Sequence, residues 1–155
     1  MKKSLLVLAT MAAFAAHAQT TDTLKKIKDS GSATMGVRES SGALSYTLGD
    51  GKFAGFHVEV CQKVLADVQK AQGLAKLDVK YVPVTSQNRI PLVQNGTVDI
   101  ECGSTTNNAT RQKDVAFAVT TYVEEVRIAV KANSGITSIA QLAGKKVATT
   151  TGTTS

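Results

Sequence analysis

Three arginines, Arg38, Arg89 and Arg111, each stand shortly after an apolar run, and small hydroxyl residues gather beside them. Ser86 precedes Arg89 by one turn, and Ser104 and Thr106 lead up to Arg111. A guanidinium is a planar fork of N–H donors that matches the two oxygens of a carboxylate or the oxygens of a phosphate. Serine and threonine hydroxyls both donate and accept, and can complete a cage around such an anion. The chemistry this set can perform is therefore anion binding. Acid–base turnover would need a carboxylate, histidine or thiol beside the bound group. Glu101 and Cys102 lie nearby, but their alternation with Ile100 reads as one buried and one peripheral strand residue. His57 and Glu59, in GFHVEV, read as helix-start or surface residues.

Each of these residues also has a plainer explanation. Arg89 could snorkel from a helix, Arg38 could finish a strand, and Arg111 could be an exposed residue of a helical first turn. Ser86 could cap a helix, which is compatible with a second role. The elements that carry the residues have to decide.

Thr21-Asp22-Thr23 can cap a short helix over 24–29 that Gly31 closes, and 32–37 reads as a strand ending at Arg38. Gly49-Asp50-Gly51 marks a turn between two short segments within 44–56. Val60, Val64, Leu65 and Val68 recur at helical spacing up to Gly73. Residues 77–82 alternate as a strand that Pro83 ends. Ser86 then opens a helix carrying Ile90, Leu92 and Val93, stopped by Asn95-Gly96, and 98–100 is a short strand. A polar loop, 103–108, leads to a helix or turn through Arg111. Beyond it the pattern predicts a strand over 123–131, a turn at Asn133–Gly135, a short helix over 138–143 and a last strand over 145–149. Strands alternating with helices imply an α/β fold with a mainly parallel sheet. Ligands of such sheets sit beyond the carboxyl ends of the strands. On that rule Arg38, the Ser86–Arg89 pair and the Ser104–Thr106 stretch converge on one rim.

The bulk properties narrow the setting. Met1-Lys2-Lys3, an apolar run from Leu5 to Ala15 and the small-x-small end Ala16-His17-Ala18 form a secretory signal, with 1–18 removed. The run is too short for the ~20 residues of a membrane span. Removing Lys2 and Lys3 leaves 16 of the 18 basic residues against 12 acidic ones, a mild net +4. With no Trp, few aromatics and dispersed lysines, nucleic acid is a poor candidate partner. No metal-ligand spacing or cofactor motif is present. Cys61 and Cys102 could form a disulfide in an oxidising compartment or serve as two small core residues, and the sequence leaves both open.

Four stretches resemble one family. They are GVRESS at 36–41, TSQNRIPLVQNGTVDIECGSTTNN at 85–108, RQK from Arg111, and the closing GTTS. They are similar to the periplasmic amino-acid-binding proteins of ABC importers, the bacterial extracellular solute-binding proteins of family 3, in their glutamate/aspartate-binding branch. The resemblance implies an α/β, periplasmic-binding-protein-like fold of two lobes with the amino acid clamped between them. Residues 19–122 then form the amino-terminal part of lobe one. Residues 123–155 then hold the crossover strand, Tyr122–Val126 being the first crossover, and the opening of lobe two. The similarity spans the first half of a typical member, so a truncated chain is expected.

The resemblance also implies roles. Arg111 would grip the ligand's α-carboxylate, helped by the positive end of a helix that begins there. Arg38 and Arg89 would take the side-chain carboxylate. Ser86 would serve that same end, Ser104 and Thr106 the α-amino and α-carboxylate end, and Thr154 would reach the α-carboxylate from lobe two. The implied protein is a monomeric, non-enzymatic receptor without cofactor that passes L-glutamate or L-aspartate to a membrane permease. An exported enzyme on the same fold, of a small-acid dehydratase type, and a non-functional fragment are the alternatives.

Overall fold

A computed structural model describes residues 22–155. The signal segment, 1–18, lies outside the described residues. The chain order is α1 (Thr23–Ser30), β1 (Ser32–Val37), a 3-10 turn at Gly42–Leu44, β2 (Tyr46–Gly49), β3 (Lys52–Ala54), α2 (Phe56–Ala71), β4 (Asp78–Pro83), α3 (Arg89–Gln94) and β5 (Ile100–Cys102). Two further 3-10 turns follow, at Arg111–Lys113 and Ile139–Leu142.

The ends of these elements follow from local chemistry. Asp22 caps α1 by accepting from the amide of Lys25 at 3.1 Å, and Gly31 ends the helix in the left-handed conformation at φ 64°. In the β2–β3 hairpin Gly49, Asp50 and Gly51 all have positive φ, which two glycines make inexpensive. Among the described residues no helix is long and apolar enough to cross a membrane.

β1 is the centre of a three-stranded parallel sheet ordered β4-β1-β5. The register sets Val37 beside Pro83 on one side and beside Cys102 on the other. All three strands therefore finish at one edge, and the residues that follow them, Arg38, Val84 and Gly103, begin a common rim. Ala33, Met35 and Val37 of β1 pack with Ile27 of α1 and with Val58, Cys61 and Leu65 of α2 to form the core. Cys61 and Cys102 are joined in a disulfide with their Cα atoms 6.3 Å apart, so the question left open above is decided. The bond ties α2 to the last residue of β5, immediately before the loop that leads to Arg111.

At the opposite end of the sheet, the Asp99 carboxylate accepts from Lys26 Nζ at 2.8 Å and from the Thr34 amide at 2.8 Å. This pair fixes the start of β5 against α1 and β1, far from the rim.

Three expectations need correction. β5 covers Ile100–Cys102 rather than 98–100, because Val98 turns inward as a buried residue whose amide donates to Leu92 O. The stretches 123–131 and 145–149 form no strand and join no sheet among the described residues, and Val123, Val126, Ile128, Val130 and Val147 are exposed. Alternation supplies the side-chain pattern of a strand, but a ladder also needs a neighbouring backbone to bond with. Finally, Ser86 does not cap α3. The residue at that position is Asn88, and Thr85 and Asn88 instead bond each other's amides through their side chains, at 2.7 and 3.2 Å.

Candidate functional site

Arg38 is the first residue beyond β1. Its amide donates to the hydroxyl of fully buried Ser45 at 2.9 Å, which anchors the backbone as it leaves the sheet. Its Nε donates to Ser41 Oγ at 3.2 Å and its Nη2 to Ser86 Oγ at 3.1 Å. The hydroxyl of Ser86, free of capping duty, thus holds the guanidinium. Ser41 Oγ lies 3.0 Å from Ser104 Oγ and extends the chain of hydroxyls to the third strand end.

Arg89 opens α3 and is only 3% exposed. A surface or snorkelling arginine is excluded by that number. Its Nη2 makes a long contact, 3.5 Å, to the carbonyl of Gly152. Arg111 is also buried, and its Nη1 and Nη2 donate to Thr106 O at 3.1 Å and to Gly152 O at 3.1 Å. Two guanidinium groups therefore converge on one carbonyl oxygen. Gly152 has φ 79°, and a Cβ there would lie 2.5 Å from the Ser86 carbonyl oxygen, so only glycine lets this turn approach. The element at Arg111 is a single 3-10 turn, not a helix with a useful dipole, and the Arg111 amide is taken by Asn108 Oδ1 at 2.9 Å.

The rim therefore brings together Arg38, Ser86, Arg89, Ser104 and Arg111. Thr106 joins through its carbonyl, while its side chain is exposed. Thr154 is exposed and its neighbour Gly152 meets the arginines instead. An open cleft of about 560 Å³ runs beside Arg38 and Ser86, bounded by Glu39, Thr85, Thr150 and Thr151 among others.

Glu101 and Cys102 divide as the alternation implied, Cys102 fully buried in the core and Glu101 only half-buried. With Ile100 and Cys102 turned to the core, Glu101 projects from the other face of β5. There it is half-buried, with its Oε1 atom buried near the stem of Arg38. Burial pushes its carboxyl above the ordinary value, against the Thr105 hydroxyl and the charges of Arg89, Arg38 and His57, which act to lower it. Burial also lowers Arg89 from its ordinary value. Repulsion from Arg111 and Arg38 adds to this, and attraction to Glu101 opposes it.

The unmet hydrogen-bonding capacity concentrates here. Arg38 Nη1, Arg89 Nε, Arg89 Nη1, Glu101 Oε1 and Thr105 Oγ1 are buried without a partner. Buried polar atoms are nearly always satisfied, so five on this one rim, three of them guanidinium nitrogens, set it apart from the rest of the described residues. Among the described residues no ion pair within 4.0 Å includes Arg38, Arg89 or Arg111.

Ser41, Gly103 and Gly152 were not singled out by sequence reasoning, and nothing in their local sequence marks them. His57, read as a helix-start residue, is one. Its Nδ1–H donates to Gly103 O at 2.5 Å and its Nε2 accepts from the Thr121 hydroxyl at 2.8 Å, tying the start of α2 to the site loop.

Residues 33–151 match the bacterial extracellular solute-binding proteins, family 3. The chain is 51% identical over 137 residues to the L-glutamate/L-aspartate-binding protein of Pseudomonas aeruginosa, covering 87% of this chain and 45% of that protein. It is 45% identical over 133 residues to the glutamate/aspartate import solute-binding protein of Escherichia coli, covering 86% and 44%. Among solved structures it is similar to the solute receptor for L-cysteine of Neisseria gonorrhoeae, with a TM-score of 0.53 and 27% identity over 61% of this chain and 37% of that one. The chain spans a little under half the length of these two binding proteins.

Proposed function

The chain belongs to the bacterial extracellular solute-binding proteins, family 3, and from that premise we propose that it serves to capture L-glutamate or L-aspartate for an ABC importer. On this reading it is exported by its amino-terminal signal, works in the periplasm as a monomer and hands the amino acid to a membrane permease. Residues 19–122 contribute to lobe one, and 123–155 lead into lobe two.

The observation that carries the reading is the set of buried guanidinium nitrogens without partners on Arg38 and Arg89, beside Arg111. An acidic amino acid has two carboxylates to offer, and the site has two places to receive them. Arg111 takes the α-carboxylate at the position where the Gly152 carbonyl now accepts. Arg38, steadied by Ser86, and Arg89 take the side-chain carboxylate through their free N–H groups. Ser104, Thr106 and Thr154 complete the polar lining as the second lobe closes. A neutral side chain would leave a buried cation unpaired, at a cost of several kcal/mol, so selectivity arises from a penalty on the wrong ligand.

Isothermal calorimetry of the purified protein at its natural full length tests this. L-Glutamate or L-aspartate is expected to bind and L-glutamine or L-asparagine to bind far more weakly, with Arg89→Ala and Arg111→Ala each removing the signal. Affinity retained in both variants would overturn the assignment. Glu101 is a carboxylate within the cluster, the kind of group an exported dehydratase would use as its base. A turnover assay on small carboxylic acids separates that second reading, which requires product to form.

A further inference from the structure

We propose that Glu101 is itself a working residue of this site: it shares the guanidinium groups of Arg38 and Arg89 with the ligand's side-chain carboxylate and takes up a proton from solvent as that ligand binds. The inference rests on the reading of the site as a receptor for an acidic amino acid, and adds a proton to its binding equilibrium.

The geometry sets the Glu101 carboxylate against Arg38. Glu101 leaves β5 on the face of the sheet where β1 carries Gly36, and a Cβ on Gly36 would lie 3.6 Å from Glu101 Cγ. At Gly103 the fit is tighter. A Cβ there would lie 2.4 Å from Glu101 Oε1 and 2.5 Å from Arg38 Cγ. The carboxylate and the stem of Arg38 therefore press over the same glycine, in space that any side chain would fill. The charged and titratable groups acting on Glu101 come from every neighbouring element: Arg38 from the end of β1, Arg89 from α3 and His57 from α2, with the Thr105 hydroxyl from its own loop.

Glu101 Oε1 makes no hydrogen bond, and Arg38 Nη1 and Arg89 Nε and Nη1 make none either. The carboxylate balances the arginines through space without consuming their donors. Those donors remain for a second carboxylate, which can form charge-assisted hydrogen bonds that Glu101 does not have. Once it is seated, two carboxylates share one poorly solvated pocket, and like charges in such a site drive one of them to the protonated form. The ligand holds the hydrogen bonds that favour its ionised state. Glu101 is the group left to accept the proton, on an oxygen with no donor facing it.

The sign follows from linkage. Loading raises the proton affinity of Glu101, so ligand binding strengthens as pH falls from the loaded-state pKa toward the empty-state one. The gain is at most about tenfold in affinity per pH unit for one proton. Outside that window the dependence from Glu101 is flat.

Calorimetry of the full-length protein with L-glutamate, in pairs of buffers with different ionisation heats, reads the proton count directly. Wild type is expected to take up a fraction of one proton per ligand across the mildly acidic to neutral range. Glu101→Gln is expected to take up none, whereas His57→Gln keeps the uptake. Wild-type binding with no buffer-dependent heat, or uptake that persists in Glu101→Gln, overturns the proposal and leaves the receptor reading intact. No binding of either acidic amino acid by wild type overturns both. Should Glu101→Gln fail to fold, the infrared difference spectrum of wild type decides. A carboxylic-acid carbonyl band must appear on loading, and its absence overturns the proposal.

Discussion

Replacing Arg89 by methionine separates what this residue does for the fold from what it does for the ligand. The guanidinium is 3% exposed, and two of its nitrogens, Nε and Nη1, have no partner. A buried donor left without a bond costs about 1–3 kcal/mol, so the two together burden the empty protein by several. Attraction to Glu101 recovers part of this. Methionine keeps an unbranched stem of similar reach and fills the space without a charge. Among the described residues no ion pair within 4.0 Å includes Arg89, so removing its charge breaks none and relieves the cost of a buried, unpartnered guanidinium. Arg89→Met is therefore expected to raise the ligand-free stability by about 1–3 kcal/mol, read as a higher urea midpoint at unchanged slope. Binding should move the other way. Two hydrogen bonds to a carboxylate are lost at about 1.5–3 kcal/mol each, a loss of roughly 10²–10⁴-fold in affinity. A variant that is less stable than wild type would mean that Arg89 is a structural residue whose bonds the fold needs. Unchanged affinity would mean that its free nitrogens do not meet the ligand. Either result refutes the reasoning.

Two further outcomes follow from the same geometry. Reducing the Cys61–Cys102 bond, or changing both residues to serine, opens a loop with a sequence separation of 41 and is expected to cost about 4 kcal/mol by the chain-entropy relation, read as a drop in the denaturant midpoint. Gly103→Ala places a methyl within 2.5 Å of Arg38 Cγ and 2.4 Å of Glu101 Oε1, so it must push these side chains apart. Overpacking of this kind costs about 1–3 kcal/mol, and acidic-ligand affinity is expected to fall by about tenfold or more in calorimetry.

Much of the scaffold was legible because its signals are local. Asp22 and Gly31 bracket α1, the Gly-Asp-Gly turn makes the hairpin, and the helical spacing of α2 and the alternation of β4 are short-range patterns. The rim was legible for a similar reason. In a parallel sheet the residues after each strand share an edge, so locating three strands located Arg38, Ser86 with Arg89, and Ser104. What alternation could not supply was a bonding neighbour for 123–131 and 145–149. Nor could it show which of two explanations held for each arginine, since a snorkelling side chain and a buried one are spelled identically.

The residue types and their periodicity determined, unaided, that this chain forms an α/β unit whose strand ends carry guanidinium and hydroxyl groups on one rim. The folded arrangement alone decided three things. It joined Cys61 to Cys102, it released the Ser86 hydroxyl from helix capping to hold Arg38, and it set the half-buried Glu101 carboxylate beside the stem of Arg38. Each depends on distance between residues remote in the chain. Charge, burial and bonding are properties of such neighbours, and neighbours exist only once the sheet has set its register.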